Sequence, residues 1–143
     1  MSARIETKTI SPTPDQAASL RIAFIGGGGR LWAPAFMNDL ALCPDLTGEV
    51  VLYDLDLAAA QANVDFAAWL QEQPGVLSRW NYRAEGDLAT ALRGADVVVI
   101  SIQPGSLAAM RDEIAIAEEY GLYYPVGDTA GATGLVRALR SAT

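Results

Sequence analysis

The chain has 143 residues, 51% of them hydrophobic, which suits one domain with its own core. Its formal net charge is −7 and it contains no histidine. The charge repels polyanions, which argues against nucleic acid and anionic membranes as partners, and the missing imidazole excludes Ser-His-Asp, Cys-His and His-zinc sites built from this chain alone.

Residues 1–19, with two prolines and little periodicity, predict an extended or disordered lead without the apolar segment of a signal peptide. The single cysteine, Cys43, cannot form an internal disulfide and fits a reducing compartment. No apolar run reaches the ~20 residues of a membrane helix, so the expected location is the cytoplasm.

From Leu20 onward short apolar, β-branched runs alternate with helical patterns. Strands are expected at 21–25, 49–53, 80–84 and 96–102, with a further short one near 122–126. Helices are expected at about 30–42, 57–73, 87–93 and 105–120, and a last one starts at "LVRALRSAT". The first helix carries apolar residues at 32, 33, 36, 37 and 40, one face of a 3.6-residue period. Asp87 is placed to cap the short third helix and Gly94 to end it. Strand alternating with helix predicts an α/β fold, a Rossmann-like, doubly wound, mostly parallel sheet with helices on both faces, over residues 20–143.

The four glycines Gly26, Gly27, Gly28 and Gly29 follow the first strand and open the first helix. This is the setting in which Gly-x-Gly acts as a phosphate elbow: one glycine for the tight turn, the next for close backbone approach, then a helix N-terminus. Gly26 and Gly28 are expected to do that work, with Gly27 and Gly29 as permissive neighbours. Position 31, where the fingerprint has its third glycine, is Leu31.

After the second strand comes "VVLYDLD". Asp54 lies a little beyond the usual interval of about 20 residues, and is placed to bond the ribose hydroxyls and repel a 2′-phosphate, which selects NAD over NADP. A plain turn at the glycines, and Asp54 or Asp56 as a helix cap, are the structural alternatives. The fourth strand ends at Ser101-Ile102-Gln103, and the carboxyl end of such a strand flanks the cofactor.

With "IGGGGRLW", "VVLYDLD", "GADVVVISIQPGS" and "YGLYYPVGDTAGATGLVRALR" in this order, the chain resembles glycoside hydrolase family 4 from about residue 20 to 143. These glycosidases use NAD and a divalent metal, typically manganese. "RWNY" and "ISIQPGSL" resemble the α-galacturonidase branch. Members acting on 6-phosphorylated sugars commonly place an arginine where this chain has Gln103, so the resemblance implies an unphosphorylated or uronic acid glycoside.

The implied reaction oxidises the sugar at C3, removes the acidified C2 proton, eliminates the aglycone, adds water and returns the hydride. It lies outside the two-carboxylate scheme of glycoside hydrolysis. Carried over by position, Gly26, Gly27, Gly28, Gly29, Asp54, Ile102 and Gln103 are implied in cofactor binding. Asp128 and Thr129 of "GDT" and Arg137 of "RALR" are implied in sugar binding. "GATG" at 131–134 departs from the family's Gly-Pro-Gly-Gly. The family's metal ligands and catalytic tyrosine fall beyond Thr143, so no metal ligand and no catalytic residue is assigned within this chain, which alone is expected to be inactive. Relatives usually assemble, so the resemblance implies a homo-oligomer. A stand-alone nucleotide-binding module and a fragment of an NAD-dependent hydroxy-acid dehydrogenase are the competing readings.

Overall fold

The computed structural model describes residues 17–123, together with 134–135 and 138–139. Residues 1–16 of the lead predicted over 1–19, the "GDT" loop and Arg137 lie outside the described residues, while Ala18 and Ser19 are strand rather than lead.

Over residues 17–123 strands and helices alternate: β1 (Ala18–Ile25), α1 (Trp32–Ala41), β2 (Leu46–Tyr53), α2 (Leu57–Gln71), β3 (Trp80–Glu85), α3 (Leu88–Leu92), β4 (Val97–Ile100) and α4 (Leu107–Glu119). The sheet is parallel throughout, in the order β3-β2-β1-β4. Ile22 lies beside Val50 on one side and Val97 on the other. The strand order reverses at β1, so the carboxyl ends of β1, β2 and β4 converge on the switch point of a doubly wound sheet.

The chain divides into two compact units, residues 1–102 and 103–143. The first holds the four described strands with α1, α2 and α3. Its core sets Leu20, Ile22 and Phe24 of β1, Val50 and Leu52 of β2 and Trp80 of β3 against Ala33, Met37 and Leu40 of α1 and Ala60, Ala67 and Leu70 of α2. Phe24 and Phe36 stack at an angle with ring centroids 5.3 Å apart. This alternation arises because successive strand residues point to opposite faces. On the other face stand Arg21, Glu49, Arg83 and Glu85, joined as ion pairs, with Arg83 Nε 2.9 Å from Glu49 and Arg83 Nη1 3.0 Å from Glu85. The right-handed rule for parallel crossovers assigns α3 to this second face. In the second unit α4 is capped by Ser106, whose hydroxyl accepts from the Ala109 amide at 3.1 Å.

The expected elements are present, with differences at their ends: β4, expected over 96–102, stops at Ile100, so Ser101, Ile102 and Gln103 lie past the strand, α1 begins at Trp32, and α2 ends at Gln71. β1 and β2 each begin three residues earlier, where Ala18, Ser19 and Leu20 pair with Leu46, Thr47 and Gly48. Trp32, assigned to the apolar face of α1, is 68% exposed, because it starts the helix before the stripe reaches the sheet. The fourth helix starts at Leu107, after Ser106 rather than at Gly105. Leu122 and Tyr123 are not strand, and the remainder of that expected strand lies outside the described residues. Gly134, Leu135, Ala138 and Leu139 are helical, in keeping with the expected last helix.

Candidate functional site

The glycine run turns the chain from the carboxyl end of β1 into α1. Gly26 has φ +94°, and a Cβ there would lie 2.0 Å from the carbonyl oxygen of Ser101, just past β4. Both the backbone angle and the space therefore require glycine. At Gly27 a Cβ would meet Cβ of Leu52 at 2.6 Å, and at Gly28 it would meet Cβ of Ala59 at 2.8 Å and Oδ2 of Asp54 at 2.9 Å. The expectation that Gly27 is a permissive neighbour is corrected: the loop lies directly on β2, and three of its four residues have no room for a side chain.

These close approaches use up the loop's own amides. The N–H groups of Gly26 and Gly27 both donate to the carbonyl of Tyr53, at 2.9 and 2.8 Å, and that of Gly29 donates to Gly26 at 3.0 Å. The Gly28 amide donates to Oδ2 of Asp54 at 2.8 Å. The amides left over are those at the start of α1. Leu31 occupies the cap position with no side-chain hydrogen bond, and no acidic residue stands in the first turn. Trp32 and Ala33 carry first-turn N–H groups that a helix cannot satisfy internally, and the helix dipole adds partial positive charge there. The glycines thus shape the corner, while the donors for an anion come from the residues after them.

Asp54 and Asp56 separate into two roles. Asp56 caps α2, its Oδ1 accepting from the Ala59 amide at 3.0 Å. Asp54 does not cap. It accepts from Gly28 through Oδ2 and from the Asp56 amide through Oδ1 at 3.0 Å, tying the end of β2 to the glycine loop. A carboxylate has about four lone-pair positions, so two remain for hydroxyl groups of a ligand. Ile102, half exposed, completes the β4 side of the corner, where its Cγ2 comes within 3.4 Å of the position a Gly26 Cβ would take. Gln103 is exposed and opens the second unit. Asp128, Thr129 and Arg137 lie outside the described residues.

One residue at this corner escapes sequence reasoning. Asn63, buried on α2, donates through Nδ2 to the carbonyls of Gly27 and Gly29, at 2.6 and 3.0 Å. The available signal is a lone amide in the inward stripe Ala60, Asn63, Ala67, Leu70.

A hollow of about 620 Å³ lies at the opposite end of the strands, beside Arg21, Glu49, Arg79 and Asn81. Arg21 is engaged by Glu49 and Arg79 by the carbonyl of Gln71. Among the described residues no three His, Cys, Asp or Glu side chains gather to hold a metal ion. No helix among them is long and apolar enough to cross a membrane.

Comparison with known proteins bears on the family and the fold. Residues 21–143 match the model of the family described as "Family 4 glycosyl hydrolase". Over 126 residues the chain is 42% identical to an α-galacturonidase of Lachnoclostridium phytofermentans, covering 88% of this chain and 27% of that protein. The crystal structure of lplD from Bacillus subtilis superposes with a TM-score of 0.72 at 42% identity, over 86% of this chain and 27% of the other. The 6-phospho-β-glucosidase of Thermotoga maritima, solved with manganese, NAD⁺ and glucose-6-phosphate, gives a TM-score of 0.67 at 28% identity, over 86% of this chain and 29% of the other. The chain therefore spans little more than a quarter of the length of these relatives.

Proposed function

Because the chain belongs to the family 4 glycosyl hydrolases, we propose that it forms the NAD-binding part of a glycosidase that cleaves α-galacturonides. The observation that carries the cofactor half is the corner itself. Glycines without room for side chains bring the backbone close, the start of α1 is left uncapped, and Asp54 stands at the end of β2. In this reading the amides at the start of α1 hold the pyrophosphate. Asp54 takes the adenosine ribose hydroxyls and disfavours a 2′-phosphate, and Ile102 and Gln103 flank the ribose and nicotinamide side.

Bound NAD⁺ supplies reversible hydride exchange with the sugar. The chain's own residues bind and orient it. The metal is a different matter: the described residues offer no ligand set, so no step is assigned to one here. Asp128, Thr129 and Arg137 are proposed to meet the sugar. Residues 20–143 are read as one cofactor domain of a cytoplasmic, homo-oligomeric enzyme. The uronic acid is favoured by the α-galacturonidase relative at 42% identity and by Gln103, which stands where members acting on phosphorylated sugars commonly carry arginine.

Calorimetric titration of the chain with NAD⁺ and NADP⁺ tests the reading. Saturable NAD⁺ binding at least tenfold tighter than NADP⁺ is expected, with the preference reduced in Asp54→Asn. Equal affinities, or NADP⁺ preferred, would remove Asp54 from its role.

A further inference from the structure

Asn63 sits one turn beyond Ala59 on α2, and both face the glycine loop. Ala59 leaves room for Gly28, while Asn63 reaches two peptide groups of the loop. The residue is 9% exposed, and an amide buried to that degree is unfavourable unless its polar atoms are bonded. Packing alone does not call for it, since its neighbours in the stripe are alanine and leucine. Both N–H groups of Nδ2 are engaged, one by each glycine carbonyl. The orientation is also dictated, because the reversed amide would set its oxygen against those two carbonyl oxygens.

The consequence lies in the peptide groups. In a trans peptide the carbonyl and the following N–H point in opposite directions. Turning the Gly27 carbonyl toward α2 therefore turns the Gly28 amide the other way, where it meets Asp54 at 2.8 Å. Turning the Gly29 carbonyl toward α2 does the same to the amide of Arg30, the exposed residue just before the cap of α1. We infer that Asn63 is a positioning residue for a diphosphate ligand: by holding the Gly27 and Gly29 carbonyls against α2, it keeps those oxygens away from the phosphates and aims the Arg30 amide at them. The inference rests on the cofactor reading above and names the group that preorganises its loop.

The test compares NAD⁺ with adenosine, which keeps the ribose contacts and lacks the diphosphate. Affinities of both are measured by ligand-observed NMR and calorimetry on the full 143-residue chain, for the natural protein, Asn63→Leu and Asn63→Asp. NAD⁺ affinity is expected to fall at least tenfold in both variants, while adenosine affinity changes less than twofold. Asn63→Ser, which keeps one donor, should fall between, and it carries the comparison if the other two do not fold. Unchanged NAD⁺ affinity, or a parallel loss of both ligands, would reduce Asn63 to a packing residue and overturn the inference. A natural chain that takes up neither ligand would instead overturn the cofactor reading, and the inference with it.

Discussion

The helices α1 and α2 begin at the same end of the sheet and are finished in opposite ways. The start of α2 is sealed from within: Asp56 accepts the Ala59 amide, and Asp54 holds the Asp56 amide. The start of α1 has Leu31 at its cap, no acid in its first turn, and a glycine run whose own N–H groups are already taken. A carboxylate cap satisfies first-turn amides and offsets the dipole, which stabilises a helix but forecloses an anion. Leaving α1 without one forgoes that stability and, in the proposed function, keeps the site for phosphate. The two starts differ in that one is closed by side chains and the other is left open.

The comparison breaks most severely at Gly26. Gly26→Ala adds a positive-φ penalty and an overlap with the Ser101 carbonyl, together about 3 kcal/mol or more. Urea unfolding should show the midpoint falling accordingly, and a midpoint within error of the natural chain would mean the corner is looser than described. Next, Leu31→Asp makes α1 resemble α2. Stability should rise by up to about 1 kcal/mol while NAD⁺ affinity drops about tenfold, because the new carboxylate competes with phosphate. A rise in stability with no loss of affinity would separate the cap from the binding site.

The converse change, Asp56→Ala, unseals α2. It should cost about 1 kcal/mol in thermal or urea unfolding and leave NAD⁺ affinity within twofold. The smallest effect is expected away from both helix starts, at Tyr82 on β3. Its buried hydroxyl has no hydrogen-bond partner among the described residues, and burial pushes its titration above the ordinary range. The folded-state pKa is raised, so the associated stability is present below about pH 10 and is lost as pH rises beyond it. Tyr82→Phe should therefore change stability at pH 7 by no more than about 1 kcal/mol and flatten its decline above pH 10. An unchanged alkaline decline would assign that loss to other groups.

The alternation of short β-branched runs with 3.6-period stretches was enough to read the sheet, its helices and the glycine turn. The first residues of β1 and β2 escaped because Ala18, Ser19, Thr47 and Gly48 are small or polar and are strand only through each other. At the site, the sequence offered two acids for two roles. The expectation put Asp54 on the ribose and kept a helix cap by Asp54 or Asp56 as the alternative, since both roles call for a carboxylate after a strand. The Ala59 amide gives the cap to Asp56, and the 2.8 Å contact from Gly28 ties Asp54 to the glycine loop. Gly27 looked replaceable because what forbids a side chain there is Leu52, far along the chain and adjacent only after folding. Asn63 was hidden for the same reason: its partners are 36 and 34 residues away. Tolerance and positioning depend on such long-range contacts, whereas periodicity is local.

The most direct test of the contrast between the two helix starts is a backbone amide NMR titration of the chain with NAD⁺. The largest shift changes are expected at Arg30, Leu31, Trp32 and Ala33, with the first turn of α2 at Ala58 and Ala59 barely moving. Equal changes at both starts, or changes at α2 alone, would contradict it.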